Sequence, residues 1–90
     1  QSYGSLKLMA YPNPNDGNFI LKYHLKKSTD VKISIYTIHG KIIETKIFPN
    51  MPPGDHSYEK RMDAQLKEGG CLLVVETAYE KATQKIIIEP

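Results

Sequence analysis

The sequence has no apolar run approaching the roughly 20 residues that a membrane-spanning helix needs, and its one cysteine, Cys71, has no second cysteine to pair with inside the chain. The first absence leaves no candidate for a helical span. The second decides little about compartment, because exported domains also exist without disulfides. No N-terminal stretch has the charged-then-apolar pattern of a secretory signal. The chain starts at Gln1 rather than Met, so it reads as a piece of a longer protein in which any export signal lies upstream. A basic stripe with interleaved aromatics is also missing. The formal net charge is +2, and the lysines alternate with acids or stand singly apart from Lys26-Lys27, which argues against a nucleic-acid partner. No segment of ten or more residues carries an amphipathic helical pattern, and there is no internal repeat or low-complexity stretch.

What is present points to strands. Ninety residues are room for one domain over 1–90, and a domain of this size buries roughly 60–65% of its unfolded surface. The dominant period is two, the mark of a strand with one buried face. Leu6, Leu8 and Ala10 alternate with Lys7, Met9 and Tyr11 in a first stretch, closed by the turn-rich 12–17 segment. Phe19, Leu21, Tyr23 and Leu25 line one face of a second, and a polar turn is expected over 26–30. Val31, Ile33 and Ile35 form a third, and His39-Gly40 turns it back into a fourth over 41–48 as a β-hairpin. Pro49 to Gly54 holds three of the six prolines and reads as an irregular crossover between sheets. A polar fifth strand over 56–62 suits a sheet edge. Residues 63–70 read as a loop with one helical turn that tucks Leu66 inward. Cys71 to Thr77 is nearly continuous in apolar residues and fits a central strand. A turn over 78–82 leads to the last strand, 83–89. Seven short strands with turn signals every ten or so residues predict an immunoglobulin-like seven-stranded antiparallel β-sandwich over 6–89, preceded by a small polar linker over 1–5.

Chemistry is harder to find. His24, His39 and His56 lie far apart, without the close ligand pairs that zinc favours, and read as solvated side chains. Cys71 is flanked by Gly70 and a run of aliphatics, so a small buried hydrophobe is favoured over a nucleophile. Asp55 with Glu59, or Glu76 with Glu80, would become an acid–base pair only through the fold. Asn13, Asn15 and Asp16 supply oxygens but not calcium-loop spacing, and are expected to bond their own backbone as turn formers. Gly69-Gly70 is a lone pair, not a phosphate loop. No cofactor or metal is expected, and no catalytic constellation is visible, so an enzyme is the least favoured class.

The order of the short motifs carries more. Tyr11-Pro12-Asn13-Pro14, with Gly17 and Phe19 close behind, resembles the opening motif of C-terminal sorting domains of the type IX secretion system. Val31 to Tyr36 followed by Gly40-Lys41 is similar to that family's central hairpin. Leu66-Lys67-Glu68-Gly69, the following apolar strand and Lys85-Ile86-Ile87-Ile88 are similar to its closing motif. The likeness spans Leu6 to Glu89. Two positions depart from the pattern: Thr37 stands where Asp often follows the hairpin tyrosine, and Cys71 where Tyr follows Gly-x. The resemblance implies an exported cargo that folds in the periplasm and is directed by this domain through an outer-membrane translocon. It also implies removal of the domain by a sortase-like surface peptidase, with attachment of the cargo to surface lipopolysaccharide.

Each motif residue also has a structural role available to it. Pro12, Pro14 and Gly17 shape a loop, Gly40 serves the hairpin, and Lys85 solubilises an edge. The recognition candidates are Tyr11, Pro12, Asn13, Pro14, Gly17, Gly40, Lys41, Leu66, Gly69, Lys85, Ile86 and Ile88. Lys41, Lys85 and the last strand are expected to form the recognised face, with an exposed edge open to strand pairing or to a strand-mediated homodimer. The alternatives are a retained surface binding or signalling module and a structural spacer beside an enzyme domain.

Overall fold

The computed structural model describes residues 6–13, 16–61 and 70–88. Seven strands follow one another: β1 (Met9–Tyr11), β2 (Asn18–Leu25), β3 (Thr29–Thr37), β4 (Ile42–Met51), β5 (Gly54–Arg61), β6 (Gly70–Glu76) and β7 (Lys81–Ile87). They make two antiparallel sheets, a smaller one ordered β1-β2-β5 and a larger one ordered β4-β3-β6-β7. The expected seven-stranded antiparallel sandwich is present.

Alternation explains the packing. Along β2, Phe19, Leu21, Tyr23 and Leu25 are buried while Asn18 and Lys22 face water. They meet Val31, Ile33 and Ile35 of β3 and Cys71, Leu73 and Val75 of β6 in one core. Ala82, Ile86 and Ile88 close it from the β7 side, and Leu6, Leu8 and Ala10 from the N-terminal side. In register, Ile33 stands beside Val75 and Ile35 beside Leu73, so branched aliphatic residues, three of the four β-branched, tile the inner face of the central pair. The outward positions of β6, Leu72 and Val74, are half-buried, which accounts for its continuous apolar run.

Several boundaries differ from the pattern reading. Leu6 and Leu8 are buried as predicted, but β1 itself covers only Met9–Tyr11. Lys7 has a positive φ (49°), which interrupts the extended chain, and Leu6 is tied to β2 by the His24 N–H donating to its carbonyl at 2.7 Å. Thr29 and Asp30 belong to β3 rather than to the preceding turn. Thr29 is buried, and its hydroxyl accepts from the Ala78 N–H at 3.2 Å. The segment from Pro49 does carry the chain from the larger sheet to the smaller one, but it is not irregular throughout. β4 continues through Pro49 to Met51, and only Pro52-Pro53 separates it from β5.

The reason is position. β4 is the outer strand of the larger sheet, where a proline forfeits no ladder bond. Pro49 also sits at a register shift, since Val31 pairs with Phe48 but Thr29 with Met51. Asp30 Oδ1 accepts the Asn50 N–H there at 2.9 Å, and Asn50 adopts a positive φ (53°). At the other end of the chain, β7 begins at Lys81, earlier than expected, and Ile88 forms an isolated bridge. The predicted linker over 1–5 and the helical turn carrying Leu66 lie outside the described residues.

Candidate recognition surface

The opening motif is built onto the end of β7. Tyr11 ends β1, with the Lys22 ammonium over its ring at 5.6 Å, and the Tyr11–Pro12 peptide bond is cis. Asn13 reaches across to β7. Its Nδ2 donates to the Lys85 carbonyl at 3.1 Å, and its Oδ1 accepts the Ile87 N–H at 2.9 Å. Asp16 is the local turn former: its Oδ1 accepts from the Asn18 N–H (3.2 Å) and from the Asn18 side-chain amide (3.1 Å). Gly17 is buried with φ 108°. Pro14 and Asn15 lie outside the described residues.

The central hairpin turns at 38–40. Gly40 has φ 88° and open space around it, so backbone conformation, not crowding, selects glycine there. The Gly40 N–H donates to the Thr37 carbonyl (3.0 Å), and the Thr37 N–H donates to the Lys41 carbonyl (2.7 Å). Thr37 Oγ1 accepts from both the His39 N–H (3.2 Å) and the Lys41 N–H (3.1 Å). A carboxylate at that position would bind the same two donors, so threonine preserves the turn chemistry of the aspartate it replaces. Thr77 repeats the device between β6 and β7, accepting from the N–H groups of Tyr79 (3.0 Å) and Glu80 (2.9 Å).

The closing motif divides into core and surface. Ile86 and Ile88 are buried, and Lys85 and Ile87 are exposed. Lys85 pairs with Leu72, which pairs with Tyr36, which pairs with Ile42 next to Lys41. Lys41 and Lys85 therefore lie toward opposite edges of the larger sheet, three strand spacings or roughly 14 Å apart. They share the larger sheet without being neighbours. What the fold does bring together is Asn13 with Lys85 and Ile87. Leu66 and Gly69 lie outside the described residues.

Two residues matter more than the pattern reading allowed. Gly70 has φ 139°, and a Cβ there would stand 2.2 Å from the Ile86 carbonyl oxygen. Its doublet with Gly69 was the only signal. Cys71, beside it, is fully buried, and burial pushes its thiol up to about 11. That is the opposite of what a nucleophilic cysteine needs.

The titratable groups assemble into two small pairs. His24 Nδ1 and Asp55 Oδ1 lie 2.8 Å apart, and the His24 hydrogen bond holds the Asp55 carboxyl below its ordinary range. His56 is half-buried rather than solvated, donating Nε2–H to the Pro52 carbonyl (2.7 Å) and stacking on Tyr23 at 5.5 Å. Across the open side of the sandwich, Lys60 binds Glu44, which also accepts from the Tyr58 hydroxyl at 3.4 Å. The Lys60 hydrogen bond holds the Glu44 carboxyl below its ordinary range despite partial burial. Asp55 and Glu59, four residues apart along β5, are separated by about 13 Å of strand and make no acid–base pair. Among the described residues, no group of three or more histidines, cysteines or carboxylates is placed to hold a metal ion.

A sandwich whose terminal strand is tied back to an N-terminal Pro-Asn turn is a small all-β module, defined by motifs at both ends of the chain. The family described as the secretion system C-terminal sorting domain matches residues 9–89. The chain belongs to that family, the sorting domains of type IX secretion. Among curated proteins none matches. A crystal structure of Parabacteroides merdae β-glucuronidase is similar at 19% identity and a TM-score of 0.47, over 93% of this chain and 12% of that one. Family membership carries export through that secretion system to the cell surface or beyond, and with it an interaction with the secretion machinery and a cargo N-terminal to the domain.

Proposed function

We propose that this chain is a removable address label with no catalytic role of its own. The cargo in front of it folds in the periplasm, and the label is then engaged by the outer-membrane translocon. A sortase-like peptidase cuts the cargo from the label at the surface and attaches the cargo there. The observation that carries this reading is the family match over 9–89, which takes in both terminal motifs and the central hairpin.

The two departures from the family pattern favour an ordinary label over a retained binding or signalling module. Thr37 makes the bonds expected of the aspartate it replaces, and Cys71 is spent on the core. Neither creates a new surface group.

The test is a fusion. The chain is placed at the C-terminus of a periplasm-targeted fluorescent reporter in a bacterium with a type IX system, and the reporter is located and weighed. Reporter at the surface or in the medium, lighter by the mass of the domain, is the expected result. Surface reporter with the domain still attached would replace the removable label by a retained module. Periplasmic retention beside an exported control would reject the sorting role.

A further inference from the structure

Four strands of this sandwich have an outer edge, and they are protected unequally. β1 offers only three residues. β4 carries Pro49 and a register shift, both of which spoil strand pairing. β5 alternates exposed Asp55, Ser57, Glu59 and Arg61 along its length. β7 has no proline, no register shift against β6 and no acidic side chain. Its outward main-chain pair, the Lys85 carbonyl and the Ile87 N–H, is instead bridged by the Asn13 side chain, and the Lys85 carbonyl accepts from the Gln84 side-chain amide as well, at 3.0 Å.

The form of that filling is informative. One primary amide gives a donor to Lys85 and an acceptor to Ile87, the two residues that flank Ile86. A single residue of a parallel strand laid against β7 would make the same two bonds. Asn13 thus takes the place that one residue of a paired strand would fill. Beside it, Lys81 and Lys85 project as exposed cations, and Ile87 is 41% exposed. An incoming strand with apolar and acidic side chains would find matching neighbours at these positions.

We propose that the Lys85–Ile87 edge of β7 is a docking site for an extended, acidic and apolar segment of a protein partner, and that Asn13 is the latch that fills it until that segment takes its place. Only the partner's identity as a component of the export machinery rests on the sorting role proposed above. The mode is strand addition: main-chain bonds hold the segment, and the lysines and Ile87 select it.

The test uses the purified 90-residue chain, its Asn13→Ala variant and its Asn13→Asp variant, with folding checked by circular dichroism. Asn13→Asp keeps an acceptor for Ile87 and loses the donor to Lys85, so it serves if the alanine variant does not fold. Amide exchange is read at Ile87 and, as a core reference, at Val75. Binding is read by titrating an acetylated, amidated heptapeptide, Glu-Val-Thr-Val-Glu-Val-Val, whose odd positions meet Lys81, Thr83, Lys85 and Ile87 in a parallel register. Losing both bonds is expected to speed exchange at Ile87 by roughly tenfold or more with Val75 unchanged, and to tighten peptide binding by about the same factor. Unchanged exchange at Ile87, or faster exchange without tighter peptide binding, would overturn the proposal. Dimerisation of the variant without peptide binding would assign the edge to a second copy and overturn the partner assignment. These measurements need no secretion system, so their failure leaves the fusion test standing, and a failed fusion test leaves the edge chemistry standing.

Discussion

Replacing Gly70 by alanine should be among the most damaging single-methyl changes available in this chain. Two costs combine. At φ 139° the residue lies where L side chains are strained, which costs roughly 1–3 kcal/mol. The added Cβ would also stand 2.2 Å from the Ile86 carbonyl oxygen. That oxygen cannot rotate aside, because Ile86 pairs with Cys71 and its side chain fills the core. Relief requires β6 and β7 to separate, which loosens Cys71 and Ile86 together. A total of about 3–5 kcal/mol is expected, in the range of strongly disruptive core changes, against a typical domain stability of about 5–15 kcal/mol.

Gly40→Ala is the built-in control. It has φ 88° and nothing within 4 Å of the added methyl, so it incurs the backbone cost alone, about 1 kcal/mol. Thermal denaturation followed by circular dichroism reads both variants. A cost of 1 kcal/mol corresponds to a Tm loss of about 4–8 °C for a domain of this size, so Gly70→Ala should lose about 12 °C or more, or fail to fold. Equal losses for the two variants would refute the steric argument, since Gly70 carries the collision and Gly40 has nothing within 4 Å.

Two further outcomes follow from the hairpin and the ion pair. Thr37→Val removes the acceptor for the His39 and Lys41 N–H groups and should cost about 1 kcal/mol in a thermal melt, whereas Thr37→Asp should stay within about 0.5 kcal/mol of the original. The Glu44 carboxyl is held below its ordinary value of 4.5 in the folded chain, chiefly by the Lys60 hydrogen bond. A depressed folded pKa means that its stabilising share is complete above the unfolded value and is lost as pH falls through the folded one. Glu44→Gln should therefore cost about 1 kcal/mol at pH 7, and that cost should shrink progressively as the pH falls below 4.5, measured by urea midpoints along a pH series.

The strands were legible because their inward positions alternate without exception where the core is deepest, as at Phe19 to Leu25 and Val31 to Ile35. The failures were local and had causes that one strand's sequence does not contain. Pro49 argues against a central strand, but whether a strand is central is decided by the order β4-β3-β6-β7, which only pairing reveals. Asn13 has the composition and neighbours of a turn former, and its actual partners lie more than seventy residues away. Gly70 is required by a carbonyl contributed by β7. In each case periodicity supplied the element, and a long-range contact determined the residue's job.

The same separation bears on how a label of this kind is to be probed. Deleting the last residues is the direct test of a C-terminal signal, yet the terminal strand does three things at once. Ile86 and Ile88 fill the core, the Lys85 carbonyl and Ile87 N–H hold Asn13, and the Lys85 and Ile87 side chains face outward. Truncation removes all three, so loss of export after it would report unfolding as readily as loss of recognition. Removing a buried isoleucine alone costs about 2–5 kcal/mol, a large part of a small domain's stability. A charge reversal at Lys85 leaves the core and the main-chain bonds in place and changes only what a partner meets. Export that survives truncation would remove the terminal strand from the signal altogether. Export that fails at Lys85→Glu in a chain with an unchanged melting temperature would place recognition on that strand's outward face.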